Sequence, residues 1–189
     1  LWGTYYGGNN NESLNSICFD SSNNIYITGE TNSTGNTFAT NGCHQSNNNS
    51  NPNFQDAFVS KFDTNGNRIW STYYGGLGSD SFFNIFVADD GFLYAVGTQN
   101  STTNIATSGA YQTVSNADSG GMIVKFDTNG QRIWGTYICD SSYVMISNIR
   151  GNYLYLTGRT WNQNTIATTG TYVDTYQPVP SSSQVTGIE

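Results

Sequence analysis

The chain has one histidine, His44, among its 189 residues. Any Ser-His-Asp or Cys-His nucleophilic centre would have to be built on it, with a nucleophile in reach and a third group orienting the ring. His44 falls instead in register with Tyr111 and Tyr172, in segments that repeat along the chain, and reads as the filler of an aromatic slot. Paired carboxylates could cleave glycosides. The repeated ones, Asp63 and Asp127, open Asp-Thr-Asn-Gly turns, and Asp89-Asp90 also lies in a turn. An aspartate there is explained by bonding to its own downstream backbone. Glu12 and Glu30 read as having no repeated counterparts. The Asp63-Thr64-Asn65-Gly66-Asn67 segment is similar to the opening of a calcium loop, but Gly66 is misplaced and no bidentate glutamate follows. A surface metal site built from such turns is the weaker reading. Cys18, Cys43 and Cys139 have no Cys-x-x-Cys spacing. They read either as small packed residues or as one disulfide plus a free thiol.

Trp2, Trp70 and Trp134 recur at intervals of 68 and 64 residues, each opening a Trp-Xaa-Thr-Tyr segment, and so read as packing residues. Trp161 does not recur. It aligns with Asn100 in a polar stretch, Arg159-Thr160-Trp161-Asn162-Gln163. Exposed aromatic and arginine side chains anchor interfaces. Trp161 with Arg159 is therefore the one expected ligand or partner contact, against the alternative that Trp161 packs on its own loop. No catalytic residue, metal ligand or cofactor is expected.

Only 10% of residues are charged, and the net charge is −7 with six Lys and Arg. That balance disfavours nucleic acid and anionic membranes, both of which need cationic side chains. No apolar run is long enough to span a bilayer, since Asp89-Asp90-Gly91 interrupts the stretch from Ile85 to Val96. Aromatics reach 14%, too many for a disordered chain. The apolar segments are rich in Thr, Tyr, Ile, Val and Phe, which favour strands.

These residues are held in place by a repeat. Lys61-Phe62-Asp63-Thr64-Asn65-Gly66-Asn67-Arg68-Ile69-Trp70 recurs as Lys125-Phe126-Asp127-Thr128-Asn129-Gly130-Gln131-Arg132-Ile133-Trp134. Tyr26-Ile27-Thr28-Gly29 recurs as Tyr94-Ala95-Val96-Gly97 and Tyr155-Leu156-Thr157-Gly158. The second period offers four strand-like pieces, Ile69–Tyr74, Phe83–Ala88, Phe92–Gly97 and Met122–Phe126, expected to pair as one antiparallel blade. Asp89-Asp90-Gly91 and Asp127-Thr128-Asn129-Gly130 are hairpin signals. The excess length sits in loops 30–56 and 98–121. Their apolar islands, Phe38-Ala39 and Ile105-Ala106, are expected to tuck against the blade. The fold class is all-β: tandem four-stranded antiparallel sheets, blades of an incomplete β-propeller.

Trp-Ser-Thr-Tyr-Tyr-Gly-Gly, Asp-Gly-Phe-Leu-Tyr-Ala-Val-Gly, Ser-Gly-Ala-Tyr-Gln and Met-Ile-Val-Lys-Phe-Asp-Thr-Asn-Gly, in that order, resemble the SBBP-type bacterial β-propeller repeat. The resemblance runs to about Tyr176. It implies a propeller within large secreted or surface-attached proteins, many of them resembling cargo of type IX secretion, and it carries no catalytic motif. The third repeat departs from it, with Ile138-Cys139-Asp140 where the Gly-Gly pair should be. The expected divisions are blade repeats at 1–69 and 70–133, a partial repeat at 134–176 and a coil tail at 177–189. Trp2–Tyr6 is expected to be a strand without its preceding hairpin partner, and further blades or partner subunits are expected to cover the open ends. The functional expectation is a non-catalytic extracellular binding or scaffold module of an adhesin or surface complex, whose partner is a protein or a surface glycan. The competing expectation is the accessory propeller of a secreted enzyme whose catalytic residues lie elsewhere.

Overall fold

A computed structural model describes residues 2–35, 38–50, 53–140, 142–150, 153–161 and 185–188. Among them the chain is all-β. Sheet 1 contains β1 (Glu12–Phe19), β2 (Ile25–Thr31), β3 (Asp56–Phe62) and β4 (Arg68–Tyr74), in that order. Sheet 2 contains β5 (Asp80–Val87), β6 (Leu93–Gln99), β7 (Gly120–Phe126) and β8 (Arg132–Asp140). Sheet 3 contains β9 (Ser142–Arg150), β10 (Tyr153–Thr160) and β11 (Val185–Ile188), with β10 in the middle. All pairings are antiparallel between neighbours in sequence. β5 packs on β1, β2 and β3, and β9 packs on β5, β6 and β7. The first strands of the three sheets thus lie side by side, as the inner strands of propeller blades do.

The expected grouping of strands is corrected by one position. Ile69–Tyr74 closes the sheet before it: it lies within β4 and pairs with β3, while β5 to β8 form the next blade. The repeat boundaries at 69/70 and 133/134 consequently fall inside β4 and β8. The reason is local. The Asp-Thr-Asn-Gly turn folds each Trp-bearing strand back on the Lys-Phe-Asp strand before it, whereas Gly75–Ser79 carries the chain inward to the next blade. Trp2–Tyr6, expected as a strand, is not one. In the stretch expected as coil, β11 is a strand; its Val-Thr-Gly-Ile sequence supplies β-branched residues that favour pairing, and it pairs with β10.

Each turn has the same mechanism. Asp63 Oδ1 accepts the Asn65 and Asn67 amides, both at 2.8 Å, and Asp127 Oδ1 accepts those of Asn129 and Gln131. Asp20 repeats the arrangement with Ser22 and Asn24. There Asn23 takes the left-handed conformation (φ 59°) that Gly66 (φ 85°) and Gly130 (φ 80°) supply in the other two. The repeated lysines cross the sheet to the inner turn. Lys61 lies 3.5 Å from Asp20 and over the Tyr26 ring, and Lys125 lies 3.2 Å from Asp90 and over Phe92 and Tyr94.

The long loops protect the blade edges. Their apolar islands are buried, with Phe38 and Ile105 at 0% exposure, and the repeated Arg68 and Arg132 donate to the island carbonyls of Phe38 and Ile105. Each loop then runs along the outer strand. Thr40 N bonds Ser71 O and Tyr73 N bonds Gln45 O; Thr107 N bonds Gly135 O and Tyr137 N bonds Gln112 O. The free edges of β4 and β8 are thereby covered, which removes a template for unwanted pairing.

Candidate functional site

His44 is placed as expected for a packing residue. Its ring stacks on Tyr74 at 5.7 Å and meets the edge of Phe126 at 6.4 Å, so it bridges sheets 1 and 2. Burial, and secondarily the Arg132 charge, pull its pKa down to about 4, so it is neutral at physiological pH. Its counterpart Tyr111 is exposed instead, and Tyr172 lies outside the described residues. Asp63 and Asp127 are consumed by their turns, as above. Cys18, Cys43 and Cys139 form no disulfide with one another; burial pushes Cys18 up to about 12, which keeps it protonated and unreactive.

The repeated tryptophans lock neighbouring blades. Trp2 Nε1 donates to Thr64 O at 2.9 Å and Trp70 Nε1 to Thr128 O at 3.0 Å, each reaching the Asp-Thr-Asn-Gly turn one repeat downstream. The ring lies on the turn glycine: a Cβ on Gly130 would meet Trp70 at 2.8 Å. Trp70 is 7% exposed but Trp2 46%. Trp134, partly buried, lines a groove of about 420 Å³ with Ile123, Thr136, Ile138 and residues 107–111. On sheet 1 the matching face is where the Asp127–Gln131 turn seats.

A second groove, of about 590 Å³, is lined by Asn116, Ala117, Asp118, Ser119, Tyr143 and Trp161. Trp161 is 50% exposed and Tyr143 41%. Their rings meet edge to face at 5.5 Å, an arrangement aromatic pairs favour. Arg159 is exposed, and its partner across the β9–β10 ladder is Tyr143. The two residues singled out in the sequence thus converge on one aromatic pair, joined by a polar strip from sheet 2 that periodicity did not reveal.

Sequence reasoning also missed two buried carboxylates. Asp80 is 1% exposed and Asp56 0%. Asp80 Oδ2 accepts the Gly76 amide at 2.9 Å and the Ser101 hydroxyl at 2.6 Å. Glu12 does the same in sheet 1, accepting the Gly8 amide and the Ser33 hydroxyl. Glu12 therefore has a counterpart, which corrects the reading that it is unrepeated. The signal was available: both acids stand four residues after the second glycine of a Gly-Gly pair. The one-methylene difference in side-chain length hid it. Asp56 Oδ2 accepts the Gln45 Nε2 and Asn49 amides. In sheet 2 that role passes to Asp140, which binds Gln112 and Asn116. Asp140 faces Gly120 across the ladder, and Gly120 occupies the position equivalent to Asp56. The carboxylate has moved across the β-ladder, so the departure of Ile138-Cys139-Asp140 from Gly-Gly compensates for Gly120.

Burial raises Asp56 to about 7, helped by the Asp80 charge, and burial raises Asp80 to about 6. Because both folded pKa values lie above the unfolded value, the folded state holds extra protons between about pH 4 and 7. Their contribution to stability is complete below about pH 4 and is lost as pH rises through 6 and 7. The chain should be less stable at pH 8 than at pH 5, by on the order of 4 kcal/mol, about two pH units from Asp56 and one from Asp80. Asp56→Asn should flatten most of that profile, because an amide does not titrate, while its oxygen can keep the Gln45 and Asn49 bonds. Thermal melts across this pH range check it; a wild-type stability that rises towards pH 8 would contradict it. Buried as they are, these acids cannot reach a glycoside.

Among the described residues, no group of three or more His, Cys, Asp or Glu is arranged as a metal cluster, and no helix is long and apolar enough to cross a membrane. Residues 1–36 match the family model of the SBBP beta-propeller repeat, which is the family the sequence resembles. No curated protein matches the chain.

Proposed function

We propose that this run of SBBP-type blades is a non-catalytic binding and scaffold module of a larger secreted or cell-surface bacterial protein. The carrying observation is the Tyr143–Trp161 groove. Two half-exposed aromatic faces stand against a strip of amide, carboxylate and hydroxyl groups from Asn116, Asp118 and Ser119. Apolar faces with a few convergent polar groups are the general make-up of ligand sites, and this mixture suits a glycan or a polar protein loop. The scaffold part is supported by the Trp134 groove, which offers a further blade or partner subunit the same seat that sheet 1 gives the Asp127–Gln131 turn.

Binding of the chain to an array of bacterial polysaccharides and purified surface proteins, compared with Trp161→Ala, tests the reading. The expected result is at least tenfold weaker binding by Trp161→Ala with an unchanged melting temperature. Full binding by that variant, or no binding by the wild type, would overturn it.

A further inference from the structure

We propose that two copies of this chain join head to tail at both ends, closing a ring of six blades. Each copy lends its Trp2–Tyr6 segment to sheet 3 of the other as a fourth strand. The segment is an outer strand in everything but pairing. Trp2–Gly8 matches Trp70–Gly76 at six of seven residues, and it seats on sheet 1 as Trp70–Gly76 seats on sheet 2. Trp2 and Trp70 each donate to the Asp-Thr-Asn-Gly turn of the sheet they meet. The Tyr6 ring meets Phe62 edge to face at 5.3 Å, and Tyr74 meets Phe126 likewise at 5.7 Å. The Gly8 amide donates to Glu12 and the Gly76 amide to Asp80. Residues 70–74 also pair with β3, whereas Trp2–Tyr6 pairs with no strand among the described residues. Sheet 3 has the complementary gap. β11 meets β10 at Gly158 as β3 meets β2 at Gly29 and β7 meets β6 at Gly97. It holds the place of a third strand, yet among the described residues it is the edge of its sheet. In the same register Gly187 faces Tyr5 of the second copy, as Phe58 faces Tyr73.

The faces that this joint closes are bare and apolar. Between sheets 1 and 2, Phe82 and Ile85 of β5 are 0% and 2% exposed and share one core with Tyr26. Their counterparts on β1, by register against the next strand, are Leu14 and Ile17. These stand 56% and 57% exposed, with Phe19 beside them at 58%. On sheet 3 the counterpart of Tyr26 is Tyr155, each three residues before its strand's glycine. Tyr26 is 1% exposed and Tyr155 44%. Contiguous apolar patches of this kind mark association surfaces. The exposed half of Trp2 belongs to the same joint rather than to the fold of the single chain. A head-to-tail contact either closes into a ring or runs on as a filament. Two copies supply six sheets, inside the range of about four to eight blades in closed propellers. One copy supplies three and three copies nine, both outside it. Closure leaves no strand edge to recruit other chains. The proposal rests on the scaffold part of the function above; the Tyr143–Trp161 groove does not enter it.

Sedimentation of the full 189-residue chain over a range of micromolar concentrations tests it. The expected result is one species of twice the mass of a single chain. Ile17→Asp and Tyr155→Asp, each at a half-exposed position of the single chain, should each weaken dimerisation at least about thirtyfold, because each leaves a charge unpaired in the joint. Mixed in equal amounts, the two variants should dimerise again, since one of the two joints then brings unaltered faces together. A patch that met its own copy across a two-fold axis would not recover in this way. Trp161→Ala should stay dimeric. The wild-type mass stands even where a variant fails to fold. A wild-type monomer, a mass that keeps growing with concentration, an unweakened Ile17→Asp dimer or a mixture that stays monomeric would each overturn the ring. A monomer that binds a ligand through Trp161 would overturn the ring alone, and a dimer that binds none would overturn the groove alone.

Discussion

Gly97→Ala is expected to unfold the second blade or to lower the melting temperature by more than about 10 °C. The glycine ends the Tyr-Ala-Val-Gly segment on β6, opposite Phe82 on the inner strand. Directly after that pair β5 carries a bulge, between Phe82 and Asn84, and the bulge drives the Ser81 carbonyl into the space where a Cβ on residue 97 would be. An added methyl would overlap the Ser81 oxygen outright and crowd Phe82 Cα at 2.7 Å. The obstacle is backbone, so no side-chain rotamer relieves it, and the β5–β6 ladder must open. Overpacking a core costs about 1–3 kcal/mol even when side chains can adjust. Here the cost should exceed that range, which for a chain of this length is roughly 2–4 °C per kcal/mol. The same collision waits at Gly29 with Ser13 O and at Gly158 with Tyr143 O, so Gly29→Ala should behave alike. Gly3→Ala is the control, since nothing lies within 4 Å of its Cβ position. Thermal melts by circular dichroism decide it. A Gly97→Ala protein melting within 2 °C of the wild type would show that the bulge yields freely.

That glycine also shows which parts of the molecule were legible in the sequence and which were not. The Tyr-Xaa-Xaa-Gly motif was visible three times, and strand propensity placed it on strands, but its cause is a bulge on the neighbouring strand. No propensity announces that bulge: the bulged residue is Asn15 in one blade and Phe83 in the next. The Asp-Thr-Asn-Gly turns were read correctly because their chemistry is local, confined to the Asp63 and Asp127 side chains and their own downstream amides. The third such turn, at Asp20, was missed because Asn23 stands where the others have glycine. Strand grouping slipped by one because a periodic sequence has no intrinsic origin; only the ladder between Lys61 and Trp70 fixes where a blade ends. The Asp56–Asp80 pair was hidden for a different reason. Its members come from different blades, and Asp56 has exchanged places with Gly76 relative to Gly120 and Asp140. A carboxylate that crosses a ladder leaves no trace at either aligned position taken alone. The contact groove was half visible, as Trp161 and Arg159; Tyr143 and the strip 116–119 join them only through the packing of sheet 3 on sheet 2.

Trp70→Ala should cost about 3–5 kcal/mol, the range for truncating a large buried aromatic, and lower the melting temperature by roughly 6–20 °C. Three losses coincide at this position. The indole is 7% exposed, so its apolar area returns to water or leaves a cavity. Its ring rests on Gly130 of the next blade's turn and against the edge of Tyr26 at 6.1 Å. Its Nε1 satisfies the Thr128 carbonyl, which the alanine variant leaves to whatever water can enter. Trp2 makes the equivalent hydrogen bond, to Thr64, yet keeps 46% of its surface in solvent and belongs to no sheet. Trp2→Ala should therefore cost only about 1 kcal/mol, the net worth of one hydrogen bond and a partial contact. Trp161→Ala, half exposed and touching the Tyr143 ring alone among the described residues, should cost less again. The order Trp70, Trp2, Trp161 is what a lock between blades requires: the same residue in the same motif matters in proportion to the sheet surface it closes. Denaturant melts of the three variants measure the order directly. If Trp2→Ala cost as much as Trp70→Ala, the indole-to-turn hydrogen bond alone would carry the lock, and burial between sheets 1 and 2 would not be what holds the blades together.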